Sequence, residues 1–160
     1  MGDRDVSTDT FELTDAAGRT WRLGRATGEA RKAMIAAVAQ LSWRNVAELQ
    51  TVCPEAYEEA KEAYSRDVGA EQHKPGGKLW TAHARGPAST ALFVYSLLKP
   101  QHPTATLADA RELLAHDPGG VGAAVAALVP SFFDMLADHP ETPPEHRAAF
   151  REGARKAAAG

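Results

Sequence analysis

Six histidines, one cysteine and two glycine-rich segments are the parts of this chain whose chemistry would go beyond packing. His73, His83, His102, His116, His139 and His146 form no H-x-x-x-H or H-E-x-x-H pair, the spacing that sets two imidazoles on one helical face around zinc. Cys53 is not near any of them in sequence. Surface or loop histidines are the expectation, and no metal. Cys53 precedes Pro54 at a predicted helix start, where a thiolate is stabilised. No catalytic-cysteine signature surrounds it, so a half-buried thiol is expected. Lys74-Pro75-Gly76-Gly77-Lys78 has the ingredients of a phosphate loop without its spacing, and Leu79 sits where a Mg²⁺-binding hydroxyl is needed. Gly119-Gly120-Val121-Gly122 precedes a helix and could bind an anion there, but no credible strand leads into it. A helix stop followed at once by a helix start explains those glycines better. No catalytic residue or cofactor is expected, and the chain reads as a non-enzyme.

Composition points the same way. The chain has 160 residues, a length suited to one domain, and a formal net charge of −3, against the basic excess of a nucleic-acid binder. Arg31, Lys32 and Arg44 are basic but scattered. A single cysteine excludes a disulfide within the chain and fits a reducing compartment. The segment MGDRDVSTDT lacks the apolar core of a secretion signal. The strongly apolar run Ala91 to Leu98 is too short to span a bilayer. A cytoplasmic protein with no membrane partner is the expectation.

The elements are predicted as follows. Residues 1–10 are polar and read as a flexible N-terminus. FELTDAAGRTWRL reads as a hairpin, with Phe11, Leu13, Trp21 and Leu23 on one face and Asp15-Ala16-Ala17-Gly18 at the turn. A lone hairpin is marginal in water, so that face should pack on helices or on another chain. Thr27 can cap a helix over about Gly28 to Leu41, with Met34, Ile35, Val38 and Leu41 on one side. Ser42 can cap a second helix facing inward through Val46 and Leu49. Pro54 opens a helix that Gly69 stops, with Tyr57, Tyr64 and Val68 opposite Glu55, Glu58, Glu59 and Glu62.

Residues 70–78 read as a loop. Gly86-Pro87 then leads into ALFVYSLL, with Ser89 as a candidate cap; the length of this run alone does not separate helix from buried strand. Its Leu, Ala and Ser content and its helical neighbours favour helix. Thr106 and Asp109 resemble a capping box ahead of Leu107, Ala110, Leu113 and Leu114. Val121, Val125, Leu128, Val129, Phe132, Phe133 and Leu136 form the best helical stripe, with a kink or break expected at Pro130. Residues 138–144 read as a Pro-rich linker, and residues 145–160 as a basic, alanine-rich helix. That last helix is either weakly docked or folds against a partner, and its bases oppose the acids of the 54–69 helix in sign. The fold class expected is mainly α, a multi-helix bundle with an N-terminal β-hairpin over residues 11–137.

The hairpin FELTDAAGRTWRLG, then ALFVYSLLKPQHP, TLADARELLAHDP and a final amphipathic helix occur in an order that resembles the small tail assembly chaperones of long-tailed bacteriophages. The resemblance is one of organisation and covers roughly residues 11–137. It implies a helical homo-oligomer that is not an enzyme. It implies a partner in the long apolar tape measure protein, or another apolar helical protein, held soluble in the bacterial host cytoplasm until the tail is built. Self-association is then expected at Phe11, Leu13, Trp21 and Leu23. The partner is expected at Leu92, Phe93, Tyr95, Val125, Phe132, Phe133 and Leu136, since three apolar faces are generous for a domain this small. The competing classes are a structural virion or head-to-tail connector subunit, a small regulatory binding domain, and an enzyme of unrecognised type.

Overall fold

The structure, a computed structural model, describes residues 10–86 and 88–159. The N-terminal stretch read as flexible, Thr10 excepted, and Pro87 of the Gly86-Pro87 start lie outside the described residues. The protein is mainly α-helical and opens on a two-stranded antiparallel hairpin, β1 (Thr10–Thr14) and β2 (Thr20–Gly24). There follow α1 (Gly28–Val52), α2 (Pro54–Gly69), α3 (Lys78–Ala84), α4 (Ser89–Leu98), α5 (Leu107–His116), α6 (Pro118–Asp138) and α7 (Pro144–Ala159). The chain divides into two compact units with boundaries other than those read from the sequence. One joins the chain up to Met34 to everything from Thr90 onward; the other is Ile35–Ser89.

In the first unit the hairpin register pairs Phe11 with Leu23 and Leu13 with Trp21, so the four alternate apolar residues share a face. The turn closes through the Asp15 amide on the Arg19 carbonyl and the Gly18 amide on the Asp15 carbonyl, both 3.0 Å. Gly18 takes φ of 83°, which glycine adopts without steric cost. The run at 91–98 is helical, and buries Ala91, Leu92, Val94, Ser96, Leu97 and Leu98. The capping box is formed: the Asp109 amide donates to Thr106 Oγ1 at 3.1 Å, and the Thr106 amide to Asp109 Oδ2 at 2.9 Å. Asp117 ends α5 and caps α6, accepting from the Gly120 amide at 2.9 Å with Pro118 in the first turn. That explains the glycines of this junction without a ligand.

Helix α6 runs through Pro130 without a break. Leu128 and Phe132, one turn apart across the proline, are both buried, and this shared packing offsets the hydrogen bond that proline removes. Among the described residues α6 is the one helix long and apolar enough to cross a bilayer, and it is longer than the apolar run singled out in the sequence. A helix at the core of a bundle meets the same requirement, and α6 buries Val121, Ala124, Leu128, Phe132, Leu136 and Ala137.

In the second unit, the two helices expected on either side of Ser42 belong to one continuous helix, α1. No glycine or proline interrupts residues 29–52, and Ser42 is buried with its hydroxyl turned to the His83 ring, so it caps nothing. The break comes at Cys53, whose backbone (φ −151°, ψ 74°) leaves the helical region that is disfavoured before a proline, and Pro54 then opens α2. The loop after α2 ends in a short helix, α3, that the sequence reading leaves as connector. Within it the Gln72 carbonyl accepts from the Leu79 and Trp80 amides at 2.9 and 3.2 Å, and Gln72 Oε1 from the Lys78 amide at 2.8 Å. A Cβ on Gly77 would lie 2.6 Å from the Gln72 carbonyl carbon and 2.7 Å from its Cα, both backbone. Gly77→Ala is therefore expected to destabilise this unit by about 1–3 kcal/mol, as overpacking does. A lower midpoint in a thermal melt followed by tryptophan fluorescence checks it; an unchanged midpoint would show that the loop shifts freely.

Candidate functional site

The residues proposed for self-association fall into two pairs. Trp21 and Leu23 are buried, 7% and 0% exposed, while Phe11 and Leu13 are half-buried. The Trp21 indole N–H donates to Asp15 Oδ2 at 2.9 Å, and Arg19 Nε meets the same oxygen at 2.8 Å. Asp15 Oδ1 accepts from the Ala17 and Arg19 amides, both at 2.9 Å. The carboxyl of Asp15 is lowered to about 2, first by the indole N–H, against the opposing effect of burial, and then by Arg19. Arg19 lies over the Trp21 ring at 5.1 Å and reaches Asp109 and Glu112 of α5 at 3.6 and 3.5 Å. On the other side, the His102 ring stands edge-on to Trp21 with centroids 5.0 Å apart, and its Nε2 accepts from the Arg22 amide at 2.9 Å. Half of the expected adhesive face is thus already used inside its own unit.

The residues proposed for partner binding are brought together, as core. Phe93 of α4 meets Phe132 edge-on at 5.2 Å and Phe133 at 6.4 Å. Leu92, Phe132 and Leu136 are fully buried, and Phe93, Tyr95, Val125 and Phe133 are half-buried. Burial also pushes the Tyr95 hydroxyl up. What closes this cluster is α7, read from the sequence as weakly docked or partner-dependent. Phe150 stacks on Phe133 at 6.4 Å, and Phe150 and Ala154 are buried. Arg147 donates to the Ala137 and His139 carbonyls at 3.2 and 3.3 Å, and Arg151 pairs with Asp138. Arg155 pairs with Glu152 on α7 itself. The partners of Arg147, Arg151 and Arg155 thus lie on α6, the turn after it and α7. Arg151 and Arg155 hold exposed pairs of the kind that steers more than it stabilises.

The least covered helix is α2. None of its side chains is fully buried. Ala56, Tyr57, Ala60, Ala63, Tyr64 and Val68 form one stripe, and all are half-buried. Tyr64 holds α2 to α1 by donating its hydroxyl to the Ala39 carbonyl at 3.2 Å, with its ring 5.2 Å from Trp43. Trp43 and Val52 of α1 are the exposed large apolar residues among those described, Val52 at 70%. Glu58, Glu59 and Glu62 are exposed on the far side of α2 and make no ion pair within 4 Å among the described residues. The sequence places Tyr57, Tyr64 and Val68 on the side opposite the glutamates, and the structure adds the alanines between them to that half-buried side.

Among the described residues, one serine meets a histidine ring. Ser42 Oγ and His83 Nε2 are 3.1 Å apart, and burial lowers the proton affinity of that imidazole. Ser42 is buried inside α1, where backbone amides are already used by the helix, and no carboxylate hydrogen-bonds His83 among the described residues. The pair therefore tethers α1 to α3. Among the described residues no group of three or more His, Cys, Asp or Glu is placed to hold a metal ion. Cys53 is a half-buried free thiol. No protein-family model, curated protein or solved structure gives a significant match to this chain.

Proposed function

We propose that this protein is a non-catalytic binding module that takes an apolar helix of another protein against α1 and α2, in the manner of a tail assembly chaperone holding a tape measure protein. The observation that carries the reading is α2, a helix of 16 residues without one fully buried side chain. Helices of this length owe most of their stability in water to tertiary packing. A stripe of alanines and tyrosines covered from one side is what a third helix completes, with the small residues allowing close approach. The organisational likeness of residues 11–137 to phage tail chaperones supports the choice of partner and a homo-oligomeric, host-cytoplasmic setting. In that setting self-association uses the half-exposed Phe11 and Leu13, because Trp21 and Leu23 are taken up by the fold.

The test is co-expression with an apolar helical tape measure fragment, followed by light scattering on the purified material. Capture is expected, and Ala60→Arg in the α2 stripe should weaken it by about tenfold or more, the loss of a hot spot at an interface. Glu59→Arg, on the solvent side of α2, should leave it nearly unchanged. Circular dichroism confirms that both variants stay helical. A monomer that ignores such fragments, or capture indifferent to Ala60→Arg, sinks the proposal.

A further inference from the structure

We propose that Arg31, Arg147 and His139 form a binding site for a phosphate group at the turn that joins α6 to α7. The site is independent of the partner reading above. Arg31 shares the buried side of α1 with Ala30 and Met34 and is 4% exposed. Its Nε has no hydrogen-bond partner. A guanidinium keeps its proton at any ordinary pH, so this group stays charged although burial opposes the charge. A buried cation without acceptors is costly, and folded proteins supply such groups with hydrogen-bond partners. Glu141, exposed on the turn, acts on the charge of Arg31 but leaves Nε unmet. The planar fork of arginine fits two oxygens of one oxyanion, the geometry in which it holds phosphate.

The turn beside Arg31 carries further donors and holds them in place. Arg147 donates to the Ala137 and His139 carbonyls at 3.2 and 3.3 Å, one bond from each terminal nitrogen, and the remaining N–H groups of its guanidinium are left for a ligand. His139 Nδ1 accepts from the Glu141 amide at 3.1 Å, so the ring carries its N–H on Nε2 as another donor. The Thr142 amide donates to the His139 carbonyl at 3.0 Å and its hydroxyl to the Leu136 carbonyl at 2.6 Å, which fixes the turn before any ligand arrives. His139 and Arg147 are half-buried, and Pro140 and Glu141 are exposed, so the turn lies within reach of a solute. At His139 the fields of Arg31 and Arg147 together outweigh that of Glu141. Two arginines against one glutamate leave positive charge over, which a doubly charged phosphate meets better than a carboxylate does.

The experiment is an NMR titration of the full chain with inorganic phosphate near neutral pH, with sodium chloride as the reference at equal ionic strength. A saturable shift of the Arg31 Nε–H signal and of the Glu141 and Thr142 amides is expected. Arg31→Gln should weaken binding about ten- to hundredfold, the worth of a charge-assisted hydrogen bond. Glu141→Gln removes the opposing charge and should tighten binding about two- to fivefold, the worth of an exposed charge pair. Lys32→Gln, an equal loss of charge at an exposed position of α1, should change little. Phosphoserine is titrated in parallel: shifts of the same signals assign the site to phosphomonoesters as well, and shifts with inorganic phosphate alone assign it to the free ion. No saturable shift with either overturns the inference, as does an equal loss in Arg31→Gln and Lys32→Gln. Acetate bound as tightly as phosphate overturns it too. Should Arg31→Gln fail to fold, the contrast between Glu141→Gln and Lys32→Gln decides.

Discussion

Phe132→Ala lowers the unfolding free energy of its unit by about 3–5 kcal/mol, the range for removing a fully buried aromatic ring. Phe132 has no exposed surface, and it sits on α6 where α4 crosses it through Phe93, ring edge to ring face at 5.2 Å and 87°. Alanine removes the buried area and this aromatic pair, which adds about 0.5–1.5 kcal/mol beyond area. Phe132→Leu keeps most of the volume and should cost about 1.5 kcal/mol or less. Urea unfolding followed by circular dichroism at constant slope separates the two. The result also discriminates between two roles for the stripe. A side chain kept for a partner would leave stability intact and abolish capture on truncation. A core side chain does the reverse, and its burial predicts the reverse.

The sequence carried the local structure well because local rules decided it. Alternation in Phe11–Leu13 and Trp21–Leu23 and a glycine at the turn suffice for the hairpin, and Thr106 with Asp109 for the α5 cap. What it could not carry was set by distant contacts. Ser42 looks like a cap until His83 occupies its hydroxyl. Seven residues of α3 are too few to show a period, so Trp80 was passed over. Alanine-rich α7 holds Phe150 as its single large apolar residue, and its docking draws on Ala154 and on Arg147 bonded to backbone carbonyls. The division has a sequence mark near Thr90, in Gly86-Pro87, and none near Met34, which lies inside the apolar stripe of α1. The candidate surface was hidden for a related reason. An apolar helical stripe reads alike whether it faces a core or a partner, so the strongest one, on α6, fits both roles in the sequence. The weaker one, on α2, is the face left thinly covered.

Trp21 gives the second large effect, and it couples packing to charge. Trp21→Ala should cost about 3–5 kcal/mol, as for other buried aromatics, since the ring is 7% exposed. Trp21→Phe retains the ring but removes the indole N–H, the first cause of the lowered Asp15 carboxyl. The folded state prefers Asp15 ionised. Its contribution is therefore complete above the ordinary carboxylate range and fades as pH falls from the usual 3.8 towards about 2. In Trp21→Phe that carboxyl returns towards its ordinary value, so the hairpin should fail at a higher pH than in the unaltered protein. The difference should be small near neutrality and grow with acid. An acid titration of both proteins followed by circular dichroism measures this shift; coincident curves would mean that Arg19 and the turn amides hold the carboxylate unaided. The same geometry governs how self-association is to be probed. Trp21→Asp would place a second carboxylate beside Asp15 in a buried site, so a lost oligomer would report a damaged hairpin. Phe11→Asp and Leu13→Asp act on side chains that are half-exposed, and a lost oligomer with an intact acid transition would then locate the contact at the hairpin's open edge.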